Sequence, residues 1–440
     1  MWGINSEHQE QKRHDFPSLG CIDINTAHHY LNELRNLLGK NGQVFILSAF
    51  GGIGFGHLRE ANAYAEYCAL GNIPYQHWVL DVGNGFVPKL YAKAQNFGIL
   101  TQVEAATALL PNRVINYGGK RMANGKAVSE AIQSMQVNRG GPILIVTTYV
   151  AAAYTANDLI RRGVFGNTAA KIAVTPDPWK GKEYEAMVDD EPAGCEEYSV
   201  THDIGTAREC LSRRKHLDDQ HILPWGTPTN PMHMLGLAGN KCGTTKIAVD
   251  FSGNPHRETE EWTKELLTSQ AKRIQSDKLA VAIHTVTHRK HFEALTDCAK
   301  KLGLYNGVEI LYDSNPFNAV SERDSYVLGK ERNDSATCQR YGQVPPGSAD
   351  LVCGKGEGPL MMYRGYRPDG SVYNNIPFAG IFGDGHEGKN VAAGQILGNP
   401  NLVGASIEQV VQTAFHASEL EIPTVPDNPL MALWYAASRM

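Results

Sequence analysis

The sequence lacks several features that would place it in a simple class. Its 440 residues hold no apolar run of the roughly 20 residues that span a bilayer. The net charge of −5 gives no basic excess, which argues against a nucleic-acid-binding protein. The eight cysteines contain no CxxC pair, so neither a zinc ribbon nor a disulfide framework is indicated. The first segment, MWGINSEHQEQKRHDF, lacks the apolar core of a secretory signal, and we expect a cytoplasmic protein.

Short β-branched runs alternate with helical patterns over most of the chain. Several runs are apolar on both faces, as parallel strands covered by helices on both sides must be. Because 440 residues exceed what one core usually holds, we predict an α/β fold of two domains, which can enclose a cleft. The predicted strands are 44–49, 75–82, 142–148, 171–176 and 196–202 in the first half, and 246–253, 278–285, 307–313, 349–354 and 376–382 in the second.

The proline-rich stretch at 221–234 marks the expected domain boundary. Segment 320–348 is polar and lacks clear periodicity, so it is predicted to be a long loop or insertion. The predicted units are an N-terminal extension (1–40), a first domain (41–230), a second domain (231–405) and C-terminal helices (406–440) for which a return to the first domain is left open.

The first predicted strand runs into a glycine-rich turn that opens a helical pattern, SAFGGIGFGHLREANAYAEYC (48–68). At such a turn, backbone N–H groups and the positive end of a helix meet an anion or a polar substrate. A Walker loop is excluded, because His57 and Leu58 stand where lysine and Ser/Thr would follow Gly51 and Gly56. A dinucleotide fingerprint does not fit either. The alternative is a tight turn that needs glycine for its backbone angles, with His57 as an ordinary first-turn residue.

Three further turns in the second half follow predicted strands, at 251–257, 354–360 and 382–390. Open α/β sheets bind ligands at the carboxyl ends of their strands, so these turns are candidates for a ligand site. In the last of them Glu387 and Asn390 stand one helical turn apart, and a carboxylate beside an amide suits the hydroxyls of a ribose or hexose. Alternatively, these residues serve only as helix caps.

Five segments taken in order resemble GT-B glycosyltransferases of the monogalactosyldiacylglycerol synthase type, which are related to the enzyme that adds GlcNAc to lipid I. The segments are GGIGFGH (51–57), AVTPDPW (173–179), ILPWGTPTNPMH (222–233), SADLVCGKGEGPL (348–360) and GDGHEGKN (383–390). The resemblance implies a GT-B-like α/β fold, in which two Rossmann-type, doubly wound domains face each other across a cleft. It also implies transfer of a sugar from a nucleotide diphosphate sugar, with UDP expected, to an acceptor hydroxyl. The nucleotide sugar is then a co-substrate and no cofactor is expected. Because the sequence has no DxD, we expect helix N-termini to hold the diphosphate without a metal.

The resemblance also implies which residues form the site. On the acceptor side, His57 is the first candidate for the general base, since the pKa of histidine, about 6.5, suits proton acceptance at neutral pH. Asp81 and Asp177 are alternates, for catalysis or for orienting His57. The expected acceptor-side turn consists of Gly52, Gly54 and Gly56. The expected donor-binding residues are Ser252, Gly253, Asn254, His284, Gly356, Glu357, Gly358, Glu387 and Asn390.

Other interpretations stay open. HTVTHRKH (284–291) has zinc-like histidine spacing, but His284 ends a predicted strand and His288 starts a predicted helix, so we expect no metal site. A nucleotide-sugar 2-epimerase of the same fold would need no acceptor, and a noncatalytic sugar-nucleotide-binding protein would show no turnover. The acceptor is a small molecule or a lipid. A lipid would bring peripheral membrane contact, for which 86–100 and Lys120 with Arg121 are candidates.

Overall fold

The fold is given by a computed structural model. The residues that the structure describes are 15–19, 24–50, 56–81, 140–166, 168–175, 192–226, 228, 244–251, 255–256, 258–285, 288–313, 323–326, 349–354, 365–366, 372–373, 378–382, 391, 400–420 and 428–440.

The first half of the described chain builds a six-stranded parallel sheet with the strand order β2-β1-β3-β4-β5-β6. Its strands are β1 (Gln43–Phe50), β2 (Tyr75–Asp81), β3 (Ile143–Thr147), β4 (Thr168–Thr175), β5 (Glu196–Thr201) and β6 (Ile222–Leu223). The accompanying helices are α1 (Ile24–Leu38), α2 (Gly56–Leu70), α3 (Val150–Arg161) and α4 (Ile204–Arg213).

Both faces of this sheet are covered. Val44 and Ile46 of β1 point into one fully buried core, while Phe45 and Leu47 point into a second core on the other face. Alternate side chains of a strand point to opposite faces, so a strand that is apolar at every position fits only between two helical layers. This explains the continuous run VFIL in β1.

The second half builds another six-stranded sheet, with the order β10-β9-β8-β7-β11-β14. All neighbours pair in parallel except β10, which is antiparallel to β9. The strands are β7 (Thr245–Asp250), β8 (Leu279–His284), β9 (Val308–Asp313), β10 (Arg323–Tyr326), β11 (Leu351–Gly354) and β14 (Phe378–Gly380), with a separate hairpin of β12 (Gly365–Tyr366) and β13 (Val372–Tyr373). The helices of this half are α5 (Thr259–Ser269), α6 (Ala271–Gln275), α7 (Arg289–Lys301) and α8 (Ile407–Phe415).

The two C-terminal helices pack on different sheets. Val410 and Val411 of α8 are buried in the core of the second sheet. The last helix, α9 (Asn428–Ser438), instead buries Leu430 and Leu433 in the core of the first sheet. The Asn428 side chain donates hydrogen bonds to the carbonyl oxygens of Trp225 (3.0 Å) and Gly226 (2.7 Å), beside the end of β6. The end of the chain is therefore tied to the first sheet.

The structure confirms the predicted α/β class, with one parallel and one mostly parallel sheet packed against helices. Each predicted strand has a counterpart in one of the two sheets. The prediction of a loop over 320–348 is wrong at Arg323–Tyr326, which forms β10. The sequence there, RDSY, is too polar to read as a strand, and it is fixed by backbone pairing with Ile310–Asp313 of β9. The domain boundaries stay a prediction, since 229–243 lies outside the described residues.

Candidate functional site

The strand order of the first sheet reverses between β1 and β3, and we call the carboxyl ends of these two strands the first switch point. Ligands of open α/β sheets bind in the crevice at such a reversal. His57, in the first turn of α2, lies there with Tyr149, which directly precedes α3, at 4.7 Å between ring centroids. The Thr148 hydroxyl donates a 2.8 Å hydrogen bond to the His57 carbonyl oxygen. The His57 side chain is 37% exposed, so the imidazole is positioned yet open to a ligand.

A buried carboxylate lies beside this imidazole. Oε2 of Glu60 is 3.5 Å from Nδ1 of His57, one helical turn further along α2. Residues three apart are neighbours on a helix surface, so the helix itself fixes this pair. Burial, and secondarily the charge of Glu60, raises the pKa of Tyr64, which keeps that phenol neutral. Among these three groups, the imidazole is the one suited to accept a proton near neutral pH.

The second sheet reverses between β7 and β11, and the carboxyl ends of these strands form the second switch point. Asp250, the last residue of β7, is in register with His284, the last residue of β8, and both are buried. The Phe251 N–H donates to the His284 carbonyl oxygen at 3.1 Å, and the Thr285 N–H donates to the Leu311 carbonyl oxygen at 2.9 Å. These bonds hold the strand ends in fixed positions.

The two switch points face each other. Nη1 of Arg59 in α2 lies 4.0 Å from Oδ2 of Asp250 in β7, and the two side chains are only 9% and 6% exposed. Arg59 lies on a helix that packs on the first sheet, and Asp250 belongs to a strand of the second sheet. The pair therefore connects the helix that starts at the first switch point with the carboxyl end of β7, and both of its side chains are buried.

The turns predicted to bind a donor start from neighbouring strand ends of the second sheet. Gly354 of β11 is paired with Gly380 of β14, and the Ile381 N–H donates to the Gly354 carbonyl oxygen at 2.9 Å. The His256 ring, which follows β7, stacks on Phe382 at 4.5 Å and 6°. The chain after β7, β11 and β14 thus leaves the sheet on one edge.

The predicted site residues fall into three groups. His57 lies at the first switch point, with Gly56 at the start of α2, and His284 is in register with Asp250 beside the second. Asp81 ends β2 in register with Phe50, which places its backbone on the same edge. The candidates outside the described residues are Gly52, Gly54, Asp177, Ser252, Gly253, Asn254, Gly356, Glu357, Gly358, Glu387 and Asn390.

Four residues of this site were not predicted from the sequence: Arg59, Glu60, Tyr149 and Asp250. The charged pair in HLRE stands inside an apolar helical pattern, which is a signal for buried charge. Asp250 ends an apolar strand, a position typical of site residues. Tyr149 carries no such signal, because an aromatic residue before a helix is common in cores.

Two of the three histidines with zinc-like spacing lie near each other at the start of α7. Nδ1 of His291 contacts the carboxylate of Glu260, while the rings of His288 and His291 are 5.5 Å apart. Within the described residues, no three His, Cys, Asp or Glu side chains are grouped so that they could hold a metal ion. None of the helices in this part of the chain combines the length and apolar character needed to cross a bilayer.

No family model and no curated protein sequence matches this chain. Similar solved structures include a glycosyltransferase from Rickettsia africae ESF-5, which is 11% identical with a TM-score of 0.39 over 90% of this chain and 93% of that one. An S. aureus MnaA–UDP co-structure is 10% identical with a TM-score of 0.40 over 90% and 94%. The α,α-trehalose 6-phosphate synthase from Burkholderia multivorans is 10% identical with a TM-score of 0.38 over 90% and 94%. At these identities the similarity concerns the fold alone. The narrower resemblance to the monogalactosyldiacylglycerol synthase type stays a prediction.

Proposed function

We propose that this protein is a glycosyltransferase that moves a sugar from a nucleoside diphosphate sugar, with UDP expected, to an acceptor hydroxyl. The proposal depends on one observation: the Arg59–Asp250 pair brings the two switch points together. A transfer between two substrates requires two binding crevices that meet, and water must be kept out so that hydrolysis does not compete. The burial of both charged partners supports such a closed meeting point.

In this proposal the first switch point binds the acceptor, and His57 is the general base. The acceptor oxygen attacks the anomeric carbon of the donor sugar while the bond from that carbon to the diphosphate oxygen breaks. The acceptor proton passes to the imidazole, and the bond electrons leave with the diphosphate. Glu60 acts through His57: it orients the ring from the Nδ1 side and stabilises the imidazolium that forms. Tyr149 limits the rotation of the ring from the opposite element.

The second switch point is proposed to hold the donor through the turns that follow β7, β11 and β14. Ser252, Gly253 and Asn254 are proposed for the diphosphate, together with Gly356 and Gly358. Backbone N–H groups of small turns and helix starts bind phosphate without a metal, and metal independence is part of the proposal. Glu357, Glu387 and Asn390 are proposed for the hydroxyls of the sugar or the ribose.

The test of this function separates it from its two alternatives. The purified chain is screened by thermal shift against UDP-, ADP- and GDP-linked sugars, and the stabilising donor is then incubated with a panel of sugar and lipid acceptors. A glycosylated product supports the proposal, and the product identifies the acceptor class. Conversion of UDP-GlcNAc to its 2-epimer without any acceptor would favour the epimerase. Tight binding without turnover on the whole panel would favour a noncatalytic binding protein.

A further inference from the structure

Two buried arginine–carboxylate pairs of this chain differ in their geometry. Within the first sheet, Nη2 of Arg214 lies 2.9 Å from Oε1 of Glu197, and both side chains are almost fully buried. Between the sheets, Nη1 of Arg59 lies 4.0 Å from Oδ2 of Asp250. Charge-assisted hydrogen bonds of this type are typically about 2.7–2.9 Å long. The first pair is at that distance, whereas the second is at ion-pair distance only. The Arg59 and Asp250 side chains therefore attract each other at ion-pair distance rather than at the distance of a short charge-assisted hydrogen bond.

The position of Arg59 on α2 separates it from the acceptor base. Arg59 is two residues after His57, and residues two apart on a helix point in different directions. His57 contacts Tyr149 on the side of the first sheet, while Arg59 extends toward β7 of the second. One rigid helix thus presents a base to one crevice and a guanidinium to the other.

We propose that Arg59 binds the diphosphate of the donor from across the cleft. When the donor binds, the Arg59 guanidinium exchanges the carboxylate of Asp250 for the diphosphate. This inference rests on the proposed function. A diphosphate offers several charged oxygens to the planar fork of a guanidinium and carries more charge than one carboxylate. Before the donor binds, the carboxylate of Asp250 contributes to the compensation of the buried Arg59 cation. Because His57 and Arg59 lie on the same helix, α2 fixes the position of the base relative to the diphosphate that leaves.

The exchange of partners has a specific signature. Arg59→Met is expected to weaken binding of a nucleoside diphosphate about 10- to 100-fold while changing affinity for the matching monophosphate much less. Asp250→Asn is expected to act in the opposite direction and to tighten diphosphate binding roughly threefold or more, because Arg59 is released from its competitor. In the double variant, the gain from Asp250→Asn is expected to disappear.

The experiment is isothermal titration calorimetry of the full chain with UDP, ADP and GDP, followed by the tightest of these and its monophosphate with each variant. Arg162→Met is the matched control, because Arg162 forms an exposed pair with Asp158 on α3 at 2.8 Å. Thermal melts verify that each variant is folded. Where Arg59→Met or Asp250→Asn is unstable, Arg59→Lys tests the inference, because it keeps a cation beside Asp250 but lacks the planar fork of a guanidinium and is expected to weaken diphosphate binding as well.

Each other outcome contradicts the inference. Equal losses for the diphosphate and the monophosphate in Arg59→Met would overturn it. Losses of similar size in Arg59→Met and Asp250→Asn would indicate a simple latch between the domains. A gain from Asp250→Asn that persists in the double variant would indicate general charge repulsion. If the wild-type chain binds none of the three diphosphates, the proposed function fails, whereas normal binding in Arg59→Met removes this inference alone.

Discussion

Nδ1 of His57 and a carboxylate oxygen of Glu60 lie 3.5 Å apart, one helical turn from each other on α2. The ring of Tyr149 approaches the same imidazole from the start of α3. The imidazole is thus fixed by its own helix on one side and by the neighbouring strand connection on the other, at the reversal point of the first sheet. This arrangement makes specific predictions for both members of the pair.

Replacing His57 by alanine is expected to lower turnover by about 100-fold or more, because the acceptor hydroxyl loses its proton acceptor. Nucleotide affinity, measured by calorimetry, is expected to stay within a factor of about three, since the donor is proposed to bind at the second sheet. His29→Ala is the matched control, because His29 is an exposed histidine paired with Glu33 on α1. Turnover near the wild-type level in His57→Ala would remove this residue from the mechanism.

Replacing Glu60 by glutamine keeps the shape of the side chain but removes its charge. We expect kcat to fall about 10- to 100-fold with little change in KM, since the imidazolium loses its carboxylate only as the proton is transferred. Steady-state kinetics at several donor concentrations gives this split. Glu66→Gln, on the same helix, is the control and is expected to leave kcat unchanged. A rise in KM with unchanged kcat would instead place Glu60 in substrate binding.

The strands could be predicted from the sequence because a parallel sheet covered on both faces needs continuous apolar runs, such as VFIL in β1. The same rule fails for β10, whose polar residues RDSY pair with β9 through their backbone. Local pattern thus predicts strands that are buried on both faces and misses an edge strand.

The site divides in a similar way. The position of His57 at a strand-to-helix connection could be predicted, because a glycine turn between a strand and a helix is a local feature. The partners Arg59 and Asp250 could not, because their contact joins two sheets that are built from separate halves of the chain. The helical pattern after His57 shows where α2 lies, but which of its polar residues face the other sheet depends on how the two sheets meet.

The His77 imidazole is expected to make folding sensitive to acid. Burial lowers the pKa of His77 to about 4, and its Nε2 lies 2.9 Å from the Ser48 hydroxyl. The pKa of His77 is lower in the folded state than its unfolded value of about 6.5, so protonation favours the unfolded chain. This group therefore causes no loss of stability above pH 6.5, and the loss grows as the pH falls toward 4. The expected loss from this group between pH 7 and pH 5 is about 2 kcal/mol. His77→Gln, which keeps a hydrogen-bonding side chain, is expected to lose less stability over that range.

Urea unfolding at pH 7 and pH 5 measures this difference. His29→Gln is the control, since that side chain is exposed, and it is expected to keep the acid sensitivity of the wild type. Equal acid sensitivity in His77→Gln and the wild type would show that other groups account for it.

The Glu197 carboxylate is expected to be the most costly single charge to remove from the first sheet. It lies 3.0 Å from Nζ of Lys171 and 2.9 Å from Nη2 of Arg214, and both cations are buried. Burial acts to raise the pKa of Glu197, but Lys171 and Arg214 outweigh it, so the pKa lies below its usual value. Glu197→Gln leaves two buried cations without this carboxylate, and we expect a loss of about 3–5 kcal/mol in the free energy of unfolding.

Glu209→Gln provides the comparison for this loss. Glu209 pairs with Arg213 at 2.9 Å on the more accessible face of α4, where solvent screens the charges. Its removal is expected to cost no more than about 1 kcal/mol. Urea denaturation of both variants at pH 7 gives the two values under the same conditions. If the two losses are equal, the buried cluster contributes no more than a surface pair, and the cations must be compensated by other groups once Glu197 is neutral.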